Sequence, residues 1–296
     1  MLKLPTALEG RISIKNGNRA RDSPRRQSMY EIRVSGAKGL GVFAKSFIPR
    51  GTRIFSERPL LGIQLDQDAG DIYAASNLLS LQDRQHLMKL SAHITKELLF
   101  LRWSQAIWYK IRRTASSILG RSQGIQPLLS LKDHVTVLSI FRSNAFNLGS
   151  RSPIQQAVFR QISRINHSCV PNAQGNFHDT LGSLNVHATR DIQVGEELTL
   201  NYLQEEGAAR ESRQSRLLSG YGFTCDCPAC DLTSSQGRLG EENRLQMHRK
   251  LAAFAGASEG IGDSTTHKLN MELQTILSFI LLLEGEKIAG RELSTL

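Results

Sequence analysis

The amino-acid sequence predicts an α+β protein in which a mainly-β domain is split by a helical insert and followed by a helical C-terminal region. Short apolar segments, punctuated by glycine and proline, occur in two separate parts of the chain and are typical of β-strands. Between these parts, and again after the last cysteine, apolar residues recur at helical spacing. Each β part alone is too short for a good core, so we expect the two parts to form one domain within the 296 residues.

The first β part covers about residues 30–65. Glycine and proline separate its predicted strands, which lie at 30–34, 41–44, 53–57 and 60–65. From about residue 70 to 146, leucines take helical spacing, which predicts the insert. Trp103 and Trp108 lie in this insert, and we interpret both as residues of a helix core.

The second β part covers residues 172–202. Its strand signals are "NAQGNF", "SLNVHAT" and "ELTLNY", with "VGEE" as a turn. The segment "ESRQSRLLSGYG" that follows predicts a short helix ending at a glycine. After Cys230 the apolar spacing predicts further helix around 243–254 and 268–284.

The composition restricts the environment of the protein. The most apolar run, "ILSFILLL" at 276–283, is far shorter than the ~20 residues of a membrane-spanning helix. Because the N-terminus also lacks the apolar centre of a secretory signal, we expect a soluble, intracellular protein without membrane contact. Part of the net charge of +10 lies in residues 1–29, which are typical of a basic disordered tail. A nuclear-import signal and a nucleic-acid contact are the alternatives for this tail.

Three of the four cysteines form a C-x-C-x-x-C cluster that consists of Cys225, Cys227 and Cys230. This spacing brings three thiolates within reach of one ion, and tetrahedral zinc requires a fourth sulfur or nitrogen ligand. Cys169 is the remaining cysteine, and we predict that it completes the site. His167 and His178 are alternative fourth ligands, and free thiols or a redox pair are the alternative to zinc.

Three motifs occur in a specific order, namely "RINHSCVPN", "GEELTLNY" and "YGFTCDCPAC". Together they resemble the SET-domain protein lysine methyltransferases over about residues 30–231. The resemblance is to the SET-and-MYND branch and its fungal SET-only relatives, in which the SET domain is split and a cysteine cluster follows it. "GAKGLGVFA" is similar to the first glycine-bearing loop of that family. The insert contains no cysteine, so it holds no zinc-binding MYND finger.

The resemblance implies small sheets around a knot-like core, with a pocket for S-adenosylmethionine separate from a lysine channel. It also implies structural zinc on the four cysteines, Cys169 included. The implied cofactor-binding residues are Lys38, Gly39, Leu40, Gly41, Asn144, Asn166, His167, Tyr202 and Phe223. Phe223 would stack on the adenine ring. Tyr202, beside the transferred methyl group, and Tyr221, in the lysine channel, are the implied catalytic residues.

The implied activity is methyl transfer from S-adenosylmethionine to the side-chain amine of a lysine in a histone or another protein. The alternative is an inactive SET-like scaffold that keeps the zinc and the fold. A zinc-dependent nucleic-acid binder is disfavoured, because no paired histidines follow the C-x-C spacing. We expect a monomer in the nucleus, the cytoplasm or both.

These observations divide the chain into three parts. The first is the basic tail at 1–29, and the second is the SET domain at 30–231. The SET domain includes the insert at about 70–146 and the zinc motif at 221–231. The third part is a helical region at 232–296. Because the chain ends directly after an apolar helix, we expect this region to be shorter than in relatives that continue into a helical C-terminal region.

Overall fold

The computed structural model describes residues 28–64, 67, 69–95, 99–100, 103–104, 107, 126–149, 154–203, 208–258, 277 and 281. Residues 1–27 of the predicted tail, Trp108 and most of the predicted helix at 268–284 lie outside these ranges. The predicted boundaries of the tail, the insert and the C-terminal region therefore stay predictions.

Ten short strands form three small sheets in the described part of the chain. The first sheet contains, in order, β1 (Tyr30–Val34), β2 (Leu40–Ala44), β10 (Glu197–Leu200) and β7 (Asn166–His167). The second contains β3 (Arg53–Glu57), β9 (Ser183–Ala188) and β8 (Ala173–His178). The third contains β4 (Leu61–Ile63), β6 (Gln156–Val158) and β5 (Phe146–Asn147). β7 and β10 pair in parallel, and the other neighbouring strands pair antiparallel.

Five α-helices have both ends within the described residues. α1 (Ala69–Asn77), α2 (Leu81–Met88) and α3 (Gln126–Asn144) lie between β4 and β5, and α4 (Arg210–Tyr221) and α5 (Ser235–Ser258) follow β10. α4 ends at Tyr221 and is followed by Gly222, whose φ of +79° is a left-handed conformation that glycine adopts without strain. The helices and small sheets confirm the predicted α+β class. None of these helices combines the length and the apolar character that a membrane crossing requires.

Two apolar clusters hold the sheets and helices together. The larger cluster joins the first two sheets and contains Val42 and Val186. The second joins the helices that follow β4 to the third sheet, through Ile72, Ile140 and Val158. Burial of each such side chain contributes about 1.5–3 kcal/mol, so both clusters fix the positions of the strands that carry the motifs.

The structure corrects the interpretation of Trp103 as helix core. Its side chain is 63% exposed, so it does not pack in the core. Helical spacing of apolar residues shows that a helix has an apolar face, but it does not show whether that face packs against the same chain.

Glu57, at the end of β3, fixes the turn that leads into β7. Its Oε1 accepts hydrogen bonds from the backbone N–H groups of Arg160 and Gln161, at 2.9 and 3.1 Å. Its Oε2 accepts from Gln161 and Ile162, at 3.1 and 3.0 Å. One carboxylate thereby satisfies three consecutive N–H groups at the start of the 3-10 turn (Ile162–Arg164).

Replacing Glu57 by alanine should lower the free energy of unfolding by about 2–4 kcal/mol, because it leaves three partly buried N–H groups without this acceptor. Urea denaturation of the zinc-loaded protein measures the change. Glu31→Ala is the matched control, because the Glu31 carboxylate lies on the surface, where ion pairs contribute little. Equal losses for the two variants would contradict the role of Glu57.

Candidate active site and metal centre

The motif segment from Asn166 to Asn172 is held against β10 by side-chain hydrogen bonds. Asn166 Nδ2 donates to Glu197 Oε1 at 2.7 Å. Asn172, which is buried, donates from Nδ2 to the Glu197 carbonyl at 2.8 Å, and its Oδ1 accepts from Thr199 N at 2.8 Å. Asn172 therefore fixes the fold of the segment, whereas Asn166 lies beside the glycine loop, where its Nδ2 also approaches the Leu40 carbonyl at 3.3 Å.

The glycine loop before β2 approaches the motif segment too closely for a side chain at residue 41. A Cβ atom at Gly41 would lie 2.9 Å from Asn166 Nδ2 and would overlap Glu197 Oε1. The loop is tied to the cysteine segment through Lys38, whose Nζ lies 2.8 Å from Asp226 Oδ1. Burial lowers the pKa of Lys38, but the hydrogen bond and the charge of Asp226 outweigh burial and raise it.

A cavity of about 800 Å³ opens between the glycine loop, the motif segment and the end of α4. It is within the size range of pockets that hold small molecules and cofactors. Eight of the nine residues that the resemblance implies for cofactor binding line it, namely Lys38, Gly39, Leu40, Asn144, Asn166, His167, Tyr202 and Phe223. Gly41 is the ninth, and it lies against Asn166 rather than in the lining.

A second cavity, of about 310 Å³, adjoins the first. The two cavities share five lining residues: Ser143, Asn144, Ser163, Tyr202 and Tyr221. Among the described residues, the lining of the smaller cavity contains no charged side chain. The two tyrosines thus lie where an uncharged channel meets the larger pocket.

Tyr202 is held firmly at this junction. Its hydroxyl donates a hydrogen bond to the Ile165 carbonyl at 2.7 Å, and its ring lies 5.0 Å from the ring of Tyr221. Its backbone N–H donates to His167 Nδ1 at 3.0 Å. Burial, together with the nearby Tyr221 and Glu197, raises the pKa of Tyr202 above its ordinary value, so its hydroxyl stays protonated at neutral pH.

Asn144, at the end of α3, has its side chain fixed by the backbone. Its Nδ2 donates to the Ser91 carbonyl and to the Ile140 carbonyl, both at 2.7 Å. Because both amide hydrogens are used in this way, the carbonyl oxygen is the polar side-chain atom left to bind a ligand. Asn144 therefore suits a hydrogen-bond donor such as an ammonium group.

The four cysteines come together although Cys169 is 56 positions from Cys225 in the sequence. Their sulfur atoms all lie within 4.8 Å of one another, and Cys169 Sγ is 3.9 Å from Cys225 Sγ and 3.6 Å from Cys230 Sγ. Tetrahedral zinc with Zn–S bonds of about 2.3 Å requires sulfur–sulfur distances of about 3.8 Å. The buried cluster is therefore compatible with a structural zinc ion bound by four thiolates.

The two alternative histidine ligands take other positions. His178 Nδ1 accepts a hydrogen bond from Leu181 N at 3.3 Å in the turn between β8 and β9. His167 Nε2 lies 3.3 Å from Cys169 Sγ, but the ring belongs to the wall of the larger cavity. Burial lowers the pKa of His167 to about 4, so the ring is neutral at neutral pH.

The part of the chain that forms this site matches a known protein family. The SET domain family matches residues 39–203, which is more than half of the 296 residues. The chain belongs to the SET-domain family. The match begins at Gly39 within the glycine loop, includes the predicted insert and the motifs "RINHSCVPN" and "GEELTLNY", and ends at Leu203, the residue after Tyr202.

Relatives of this SET domain include two kinds of named methyltransferase. Histone-lysine N-methyltransferase set5 of Schizosaccharomyces pombe is 29% identical over 211 residues, covering 71% of this chain and 53% of that protein. Protein-lysine N-trimethyltransferase SMYD5 of Gallus gallus is 43% identical over 67 residues, covering 22% of this chain and 16% of that protein. The chain thus spans about half the length of the first of these relatives and less of the second.

Solved structures also show similarity to this chain. The crystal structure of the SET domain of LSMT bound to lysine and AdoHcy shows 14% sequence identity and a TM-score of 0.41. The similarity covers 89% of this chain and 85% of that chain.

Sequence reasoning missed three charged residues around the SET-domain site. Arg164 lines the larger cavity half-buried, and burial lowers the pKa of its guanidinium group. Glu197 holds the amide of Asn166, and Arg213 lies fully buried behind the cysteines. Arg164 lies in the motif "RINHSCVPN" and Glu197 in "GEELTLNY", so their proximity to the site could have been predicted from the sequence. The sequence around Arg213 gives no indication that this side chain is buried.

Proposed function

We propose that this SET domain transfers a methyl group from S-adenosylmethionine to the side-chain amine of a lysine in a protein substrate. The observation that carries the proposal is the meeting of two cavities at Tyr202 and Tyr221. Methyl transfer requires the methyl donor and the amine to approach each other in line, and two pockets that open on one junction allow such an approach. The relatives named as lysine methyltransferases support the proposal.

The larger cavity would hold the cofactor, which supplies a methyl group on a positively charged sulfur when it is bound. Asn144 would accept a hydrogen bond from its ammonium group, and Arg164 would pair with its carboxylate. Asn166 and His167 would form the wall beside the adenosine. Phe223, whose ring centroid lies 6.1 Å from that of His167, offers an aromatic face for the adenine ring.

The smaller cavity would hold the lysine side chain. Free lysine has a pKa of about 10.4, so the amine must lose a proton before it can accept a methyl group. An uncharged, partly aromatic lining disfavours the ammonium form and thus favours the reactive neutral amine. Because its hydroxyl stays protonated, Tyr202 would orient the amine rather than act as a general base.

The partner that we propose is a protein carrying a target lysine, either a histone tail or another protein. The relatives named as histone-lysine methyltransferases support the histone alternative and a nuclear location, with a cytoplasmic location as the alternative. We infer that the protein acts as a monomer without contact to membranes, and that its basic tail remains a candidate for nucleic-acid contact.

Replacing Asn166 by alanine should weaken binding of S-adenosylmethionine at least about tenfold, or ~1.4 kcal/mol, because the wall of the cavity loses the amide that bridges Glu197 and Leu40. Isothermal titration calorimetry of the zinc-loaded protein measures this affinity. Asn176→Ala is the control, because Asn176 is exposed on β8. A folded, zinc-containing wild type that binds no cofactor would instead favour the inactive scaffold.

A further inference from the structure

A buried arginine that the proposed reaction does not use lies behind the cysteine cluster. Arg213, in the first turn of α4, has no exposed side-chain surface. Its guanidinium group donates to the carbonyls of Ala208 and Ala229, the latter at 3.2 Å. The same group lies 3.8 Å from Cys230 Sγ, within hydrogen-bonding distance for sulfur.

This position places a positive charge next to a site that becomes negative when it holds metal. Four thiolates around one Zn²⁺ carry a net charge of about −2. Burying such a charge costs free energy unless an opposite charge and hydrogen bonds compensate for it. A guanidinium group can donate to a sulfur and to two carbonyls at the same time, which fixes both the charge and the shape of the loop around Cys230.

The other side of Arg213 faces α5. Its Nη1 lies 3.6 Å from Glu241 Oε2, and Glu241 Oε1 accepts from the backbone N–H of Arg210 at 2.7 Å. Arg210 in turn donates from Nε to the Cys230 carbonyl at 2.8 Å. Two hydrogen bonds of Arg210 and the ion pair of Arg213 with Glu241 therefore connect the cysteine loop, the start of α4 and the first half of α5.

We propose that Arg213 is a positioning residue for the four-cysteine metal site and that, through Glu241, it makes the docking of α5 depend on that site. This role does not depend on methyl transfer, because it concerns only the affinity for metal and the protection of the α5 backbone from hydrogen exchange. If Arg213 had only a structural role, it would donate to the carbonyls of Ala208 and Ala229 and anchor α5. Its replacement would then leave the affinity for metal unchanged.

The test compares full-length Arg213→Met and Arg213→Lys with Arg216→Met, a matched control on the exposed side of the same helix. Chelator competition measures the dissociation constant for Zn²⁺. We expect Arg213→Met to raise it about 10–100-fold, as loss of a residue that contacts a ligand does in other metal sites. Arg213→Lys should restore part of the affinity, since it keeps the charge without the planar fork, and Arg216→Met should leave it unchanged.

Hydrogen exchange of residues 235–250 in the zinc-saturated proteins measures the docking of α5. We expect faster exchange in Arg213→Met, and also in Glu241→Gln, which keeps the arginine beside the cysteines. If Arg213→Met exchanged faster but bound zinc with unchanged affinity, Arg213 would be only a structural anchor, and the proposal would be wrong. Unchanged exchange in Glu241→Gln would overturn the connection to α5. If Arg213→Met does not fold, the zinc affinity of Arg213→Lys and the exchange of Glu241→Gln decide the two parts.

Discussion

Replacing Cys169 by serine should weaken zinc binding at least about 100-fold. A serine hydroxyl is a poor substitute for a thiolate ligand, and even residues that only contact the ligands change affinity about 10–100-fold. The Cys169 sulfur lies at 3.6 and 3.9 Å from two other cysteine sulfurs, which fits a shared ion rather than a chance contact. Chelator competition, together with the zinc content of the purified chain, measures the loss.

The same variant should also unfold at a lower temperature, because Cys169 lies 56 positions before Cys225 and a shared zinc ion would fix the motif segment against the cysteine loop. Ser168→Ala is the control, since Ser168 is the adjacent residue and its hydroxyl bonds locally to Val170. If Cys169→Ser kept its zinc while His167→Ala lost it, His167 would replace Cys169 as the fourth ligand.

The strands and the cysteine cluster, which depend on the spacing of residues along the chain, were mostly predictable from the sequence. Alternating apolar residues and glycines predicted β1 and β3 at the bounds that the structure shows. The C-x-C-x-x-C spacing, with one cysteine left over, predicted that all four sulfurs meet, and the structure brings them within 4.8 Å. These features were predictable because strand periodicity and metal coordination both restrict which residues can lie together.

What the sequence could not predict depends on the environment of each side chain. The exposure of Trp103 and the burial of Arg213 are both set by which helix face packs against the rest of the chain. The orientation of Asn144 depends on two carbonyls, one of them 53 positions away at Ser91. The sequence indicated Asn144 as a binding residue, but only these contacts indicate that its side-chain carbonyl oxygen is the atom left to bind a ligand.

The motif segment connects the two parts of the site through adjacent residues. Asn166 and His167 line the larger cavity, and Cys169 belongs to the metal cluster two residues later. Because both β7 and Asn172 are bonded to β10, a movement of the cysteine would be transmitted to the cavity wall. Loss of zinc should therefore weaken cofactor binding although no cysteine except Cys225 lines the cavity.

Replacing Tyr202 by phenylalanine should lower kcat for methyl transfer at least about tenfold, which is ~1.4 kcal/mol of activation free energy. The hydroxyl donates to the Ile165 carbonyl at 2.7 Å, so its oxygen is held at the junction of the two cavities, where it can orient an incoming amine. Phenylalanine keeps the ring beside Tyr221, and the backbone bond to His167 does not depend on the hydroxyl. Cofactor affinity should therefore change much less than kcat.

The assay requires an accepted substrate, which an array of lysine-containing peptides from histones and other proteins would provide. Tyr221→Phe is a second test rather than a control, because Tyr221 lines both cavities. Its hydroxyl makes a long contact of 3.4 Å with the Tyr202 carbonyl, so we expect a smaller decrease in kcat. Burial keeps the Tyr202 hydroxyl protonated, so the ratio of wild-type to Tyr202→Phe rates should stay constant between about pH 7 and 9. A ratio that rises with pH would indicate that the tyrosinate acts as a base, and equal rates at every pH would exclude a catalytic role for the hydroxyl.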